Sequence, residues 1–366
     1  MNRLQFELER GRTVNRREPL PTNALLRPRA ALTRAVLLLC LLGCVAGLPA
    51  AFITPTTPAP AFLQNWAFDV RLLAGLPTKS LLSVLNGPLA AKTVYWDQGG
   101  TPVTFTSDGL AIVGTLVEPP GHAASYPGIV LLHGSTPVGR KMGLYRLLGH
   151  TLAERGYVVL TIDLRGYGAS ADPPDLQEPE SFNFVADVRH AVDYLAATAA
   201  VRPDQIYLVG HSFGGDVAIS AAVADPRVQK VVAIGPGRRF DERGGSPAAA
   251  EFNYFRRREM RYMLLRQAIP PATFMAYRPG LPLENHMDYF TANHQPLLLI
   301  DGALESPADQ AFLADLYQEI SEPKAYLTLA GADHYVNTAN VGPLVIYDQR
   351  ALAELVEEID QWLDPS

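Results

Sequence analysis

The stretch that most limits how this chain can fold is Gly210-His211-Ser212-Phe213-Gly214-Gly215, set between an apolar run at 205–209 and a helix-forming run at 216–224. A strand that turns straight into a helix forces the residue at the bend into a strained backbone conformation. Glycines on either side remove the Cβ atoms that would clash there. The bend lifts the Ser212 hydroxyl clear of the sheet and lets the Phe213 N–H, at the start of the helix, face negative charge developing nearby. Taken alone, Gly-x-Ser-x-Gly is a common glycine turn; the strand before it and the helix after it point to a nucleophile.

The rest of the chain supplies a sheet for that bend to stand on. Two short strands are predicted within 102–117 around the turn Ser107-Asp108-Gly109, and further strands at 129–132, 157–162, 205–209, 231–234, 297–300 and 325–329. Helices alternate with them. Leu144, Leu147, Leu148 and Leu152 share one helical face, as do Val185, Val188, Val192 and Leu195, and a closing helix carries Leu352, Leu355, Val356, Ile359 and Leu363. Such alternation implies a mostly parallel sheet with helices on both faces. It stops between Gly235 and Gln295, after the sixth predicted strand, for longer than an ordinary connection. A helix is predicted at 252–268, followed by a Pro/Gly-rich stretch at 270–282. Inserted beyond the C-terminal end of a strand, this segment, about 236–295, is expected to form a lid over the crevice where open sheets bind ligands. It is rich in arginine, including Arg256 and Arg261, which suit either an anionic substrate group or a solvated or lipid-facing surface.

Charge divides the chain. The formal net charge is −6, yet residues 1–34 hold eight Arg against three Glu, so the remainder is strongly acidic. An acidic body offers no general phosphate-neutralising surface, and no nucleic-acid partner is expected. Residues 35–53 contain no charge, close to the ~20 apolar residues that cross a bilayer. They read as a transmembrane anchor or as a cleaved signal or lipoprotein segment. Both cysteines, Cys40 and Cys44, lie there. The basic flank is expected to stay inside, which puts the following domain on the extracytoplasmic side, anchored, or secreted or lipid-anchored after cleavage. A Pro-rich linker and a Leu-rich connecting segment are expected at 54–94, and the catalytic body at 95–366.

A serine hydroxyl needs a base, and the base needs an orienting group. His334 follows the last predicted strand directly and is the best-placed base among the eight histidines. Three carboxylates compete to orient it. Asp301 ends a strand; Asp309 stands three residues after Ser306 in what reads as a capping box; Glu305 lies in the loop ahead of that cap with no structural duty. Glu305 is the preferred acid. No cluster has metal-ligand spacing, and neither a metal nor a cofactor is expected.

Four motifs together resemble the α/β-hydrolase family: His133-Gly134 after the third predicted strand, Asp163-Leu164-Arg165-Gly166-Tyr167-Gly168-Ala169-Ser170 after the fourth, Gly210 to Gly215, and Gly331-Ala332-Asp333-His334. The resemblance covers about 103–363 and implies the family's fold with its order of nucleophile, acid and base. It also places the acid three residues after the glycine ending the seventh strand, at Glu305, where most members carry Asp. The second oxyanion donor it implies is the Ser135 N–H, beside that of Phe213. The activity implied is cleavage of a small-molecule carboxylic ester through an acyl-enzyme. A peptidase or amidase, an acyltransferase on the same triad, or a non-catalytic binding protein on this scaffold are the alternatives.

Overall fold

The computed structural model describes residues 83–364 except 97–98, 122, 137, 238–268, 293 and 342–343. The strands are β1 (Lys92–Trp96), β2 (Thr101–Ser107), β3 (Leu110–Val117), β4 (Tyr126–Leu132), β5 (Val158–Ile162), β6 (Val201–His211), β7 (Val228–Ile234), β8 (Leu297–Gly302), β9 (Lys324–Leu329), β10 (Ala339–Val341) and β11 (Leu344–Asp348). The helices are α1 (Gly143–Glu154), α2 (Phe184–Ala196), α3 (Phe213–Ala224), α4 (Pro271–Tyr277), α5 (Met287–Phe290), α6 (Pro307–Glu319) and α7 (Gln349–Leu363).

The eight strands β2 to β9 form one sheet in the order β2-β3-β5-β4-β6-β7-β8-β9. The β2–β3 hairpin closes on Asp108 and Gly109, both at positive φ (48° and 79°), as a two-residue hairpin turn requires. β3 pairs antiparallel with β5, and every pairing from β5 through β9 is parallel. The parallel strands are apolar on both faces, and alternate residues part company. Val130, Leu132, Leu208, Val231 and Leu299 pack with α2 and α3. Ile129, Leu131, Val209, Val232 and Ile300 pack with α1 and α7. Two half-cores result, one on each side of the sheet, as the alternation predicts. Helix α3 is buried from Phe213 through Ala222, which explains its apolar composition all round.

Other features depart from the sequence reading. β1 starts at Lys92, upstream of Tyr95, and joins β10 and β11 in a small antiparallel sheet that was not predicted. Ser306 makes no side-chain capping bond, so the capping box at Asp309 does not form; the Asp309 N–H donates to the Ser306 carbonyl instead. The helix predicted at 252–268 and most of the arginine-rich lid lie outside the described residues, and the part of the lid from Ile269 on contains α4 and α5. Residues 1–82 also lie outside them, including the basic tail and the uncharged run. Among the described residues no helix is long and apolar enough to cross a membrane.

The crossing of β4, β6 and α3 tolerates no side chain at Gly214, where a Cβ would fall 2.5 Å from the Leu132 carbonyl oxygen and 2.6 Å from that of His133. Gly149, inside α1, would bring its Cβ only to ordinary contact, 3.5 Å from Thr161 Oγ1. Chemical denaturation should therefore show Gly214→Ala losing ~3 kcal/mol or failing to fold, and Gly149→Ala unchanged or up to ~1 kcal/mol more stable. Equal effects would contradict this packing.

Candidate active site

β6 ends at His211 and α3 begins at Phe213, leaving a single residue to make the bend. Ser212 takes φ 54° and ψ −122°, a conformation that costs a non-glycine residue about 1–3 kcal/mol. Its surroundings hold it there. The Ser212 N–H donates to the Ile234 carbonyl at 2.7 Å, and the Ser212 carbonyl accepts from the Gly215 N–H at 2.8 Å. A Cβ on Gly210 would collide with the Gly214 carbonyl. As the first residue of α3, Phe213 presents an N–H that has no acceptor within its own helix.

The loop after β4 comes up against this bend. A Cβ on Gly134 would lie 3.0 Å from Ser212 Cβ, so the two loops touch at backbone level. Both peptide units flanking Gly134 are pinned. Its N–H donates to the Tyr145 hydroxyl at 2.7 Å, and its carbonyl accepts from His133 Nδ1 at 2.7 Å. His133 Nε2 in turn accepts from the Leu164 N–H at 3.1 Å. With the Gly134 carbonyl turned to His133, a trans peptide directs the Ser135 N–H the other way.

Tyr145 continues the chain of bonds. Its hydroxyl donates to His211 Nδ1 at 2.9 Å, and His211 Nε2 donates to the His334 carbonyl at 2.6 Å. These partners define the tautomer: the proton is on Nε2, because a carbonyl can only accept. Burial, reinforced by His334, pushes the His211 pKa down to about 3, so the ring stays neutral. Burial lowers His133 as well, against the pull of Asp163. Two neutral histidines and one tyrosine thus tie the β4 loop to the bend and to the His334 loop.

His334 packs beside the bend, its ring centroid 4.8 Å from that of His211. Its Nδ1 meets Glu305 Oε2 at 2.9 Å. The Glu305 loop is laced to its neighbours: Glu305 Oε1 accepts from the Gly302 N–H at 3.1 Å, and the Leu304 N–H donates to the Ala332 carbonyl at 2.9 Å. Burial by itself would raise the Glu305 carboxyl, but the His334 hydrogen bond and charge, with the Gly302 N–H, outweigh it and hold the group below the usual glutamate range. The stability this pairing adds is present above the ordinary glutamate pKa and lost as pH falls through the lowered one. Gly235, at φ 52°, backs the pair; a Cβ there would sit 3.1 Å from both Glu305 Oε1 and His334 Nδ1.

Asp301 is turned elsewhere. It is buried, its Oδ2 accepts from the Tyr326 hydroxyl at 2.5 Å, and burial raises its pKa. The Asp163 stretch is structural: Asp163 pairs with Arg140 and accepts from the Ala169 N–H at 2.8 Å, while Arg165 is buried against Asp187 at 2.7 Å.

Serine bend, carboxylate and histidine all stand at the C-terminal ends of parallel strands, and residues 129–361, more than half of the chain, match the model of the alpha/beta hydrolase family. The chain belongs to that family. It is 35% identical over 113 residues to a 2-hydroxymuconate semialdehyde hydrolase of Pseudomonas sp. (strain CF600), covering 31% of this chain and 37% of that one. It is 29% identical over 173 residues to a bis(hydroxyethyl) terephthalate hydrolase of Streptomyces coelicolor, covering 44% and 47%. The chain thus spans less than half the length of either relative. A solved structure, hypothetical protein PA2218 from Pseudomonas aeruginosa, overlays with a TM-score of 0.54 at 20% identity, over 76% of this chain and 95% of that one, a likeness of fold.

Within this alpha/beta hydrolase the structure brings Glu305 and His334 into contact and sets Ser135 and Phe213 in the two loops that meet at Ser212. Sequence reasoning passed over His133, His211 and Tyr145. The first two were visible as histidines in glycine turns, but Tyr145 is an ordinary helix residue in the sequence. Its hydroxyl serves two buried partners, and losing it leaves both unpaired at about 1–3 kcal/mol each. Tyr145→Phe should lower unfolding free energy by ~2–4 kcal/mol in a denaturant titration; an unchanged midpoint would contradict the network.

Proposed function

We propose that this alpha/beta hydrolase is a serine hydrolase that cleaves a carboxylic ester of a small molecule through an acyl-enzyme intermediate. The observation that carries the reading is the Glu305–His334 pair, 2.9 Å apart, set beside a serine held in a strained strand-to-helix bend. Glu305 on Nδ1 leaves Nε2 of His334 as the basic nitrogen. As Ser212 Oγ attacks the ester carbonyl, His334 Nε2 takes its proton, and the carbonyl oxygen becomes an anion facing the N–H groups of Phe213 and Ser135. The tetrahedral species collapses, the C–O bond breaks, and His334 returns the proton to the departing alkoxide. Water then repeats the sequence on the acyl-serine, releasing the acid and restoring the serine. Glu305 stays ionised throughout, which its lowered pKa favours. The relative whose name specifies bis(hydroxyethyl) terephthalate, a diester, supports ester chemistry on this scaffold.

Steady-state kinetics on p-nitrophenyl esters test the roles. Ser212→Ala and His334→Ala should each lower kcat by roughly 10⁴-fold or more, and Glu305→Gln by roughly 10²- to 10⁴-fold. Asp309→Asn should stay near the unsubstituted rate. Near-normal turnover by Ser212→Ala would end the serine mechanism.

We also propose that the uncharged run at 35–53, outside the described residues, holds the hydrolase at a membrane with its catalytic body on the extracytoplasmic side. The support is the eight arginines ahead of the run and the lack of any basic residue between it and Arg71. Protease added to intact cells or spheroplasts should digest the body and spare cytoplasmic markers. Protection until the membrane is broken would overturn this placement.

A further inference from the structure

We propose that residues 83–96, ahead of the main sheet, form a strap that positions His334, with Ser83 and Asn86 acting through Asp333. The inference rests on the reading of His334 as the base.

Asp333 directly precedes His334 and closes the turn around it. Its Oδ1 accepts from the N–H groups of Tyr335 at 2.9 Å and Asn337 at 2.8 Å. Asn337 answers, accepting the Asp333 N–H at 3.0 Å and donating to the Gly331 carbonyl at 2.9 Å. Within this turn Val336 and Asn337 both stand at φ 52°, a strained arrangement for non-glycine residues that persists only where the surroundings over-determine it. Part of that determination comes from the far end of the sequence. Asp333 Oδ2 accepts from Ser83 Oγ at 2.6 Å and Asn86 Nδ2 at 2.9 Å, from positions some 250 residues earlier.

The strap is built in, not laid on. Ser83 is buried and its carbonyl accepts from Lys92 Nζ at 3.3 Å, while Lys92 faces the buried Asp348 carboxylate at 3.5 Å. Val84 packs against Ala339 and Ile346. Gly87, at φ 73°, passes so close to Asp348 that a Cβ would collide with its carboxylate. β1 then pairs with β11 from Lys92 opposite Asp348 to Trp96 opposite Leu344, and β11 pairs with β10, the strand that follows the His334 turn. The strap therefore grips the turn at its start through Asp333 and at its end through β10. Two donors on one carboxylate oxygen fix the residue next to the base, and a small displacement of the base is costly to the chemical step.

The test uses the full chain with Ser83→Ala/Asn86→Ala, measuring kcat and KM on a p-nitrophenyl ester, the rate of Ser212 labelling by a fluorophosphonate, and the thermal midpoint. Expected are falls of about ten-fold or more in kcat and in labelling rate, with KM nearly unchanged. A lowered midpoint with kcat and labelling rate intact would make the contacts merely structural and overturn the proposal. Should the double variant not fold, Asn86→Ala at its half-buried position decides: a kcat loss of about threefold at constant KM supports the strap, and an unchanged kcat overturns it. Absence of esterase activity and labelling in the unsubstituted chain would instead defeat the hydrolase reading itself.

Discussion

The backbone of Ser212 is the constraint on which the site depends. A residue with a side chain stands at φ 54° only if the elements on both sides leave no alternative. Here β6 is paired on both edges by parallel neighbours, α3 is buried along most of its length, and one residue separates them. The close approach of Gly210 and Gly214 makes so short a connection possible. The stability of the sheet and its two half-cores is thus used to hold one hydroxyl out of the sheet and one helix N-terminus behind it.

Around the bend, buried polar groups are satisfied in series. Gly134, Tyr145, His211 and the His334 carbonyl form a chain in which each donor meets an acceptor, and His133 pins the other side of Gly134. In a low-dielectric interior an unpaired member of such a chain is expensive, so the chain specifies one arrangement of three loops. The neutrality of His211 is part of that specification, because a second proton would make Nδ1 a donor and leave the Tyr145 O–H without its acceptor. The histidine beside the serine in sequence therefore holds the site together, while the histidine 123 residues further on faces the carboxylate.

Much of this was legible in the sequence where the signal is local. Apolar runs of strand length, heptad-like stripes such as Leu352 to Leu363, and the Ser107-Asp108-Gly109 turn each carry their own geometry, and all appear in the fold. Glu305 was separable from Asp301 and Asp309 by its place in the loop, and it is the carboxylate found on His334. The expected Ser306 cap failed because a capping residue announces only the possibility of a bond, which here goes to backbone. β1, β10 and β11 were missed although Val345-Ile346-Tyr347 has strand character, since three to five residues without a flanking partner in sequence do not reveal their pairing. The Ser83–Asp333 and Tyr145–His211 bonds join residues far apart in sequence, and no local pattern encodes them.

The central claim is that the strained bend presents Ser212 Oγ as a nucleophile activated by His334. Mapping a fluorophosphonate adduct by peptide mass spectrometry tests it most directly. The account predicts one adduct per chain, on the peptide containing Ser212, whose formation collapses when His334 is replaced. An enzyme that hydrolyses esters yet carries the adduct on another residue, or takes none, would contradict it.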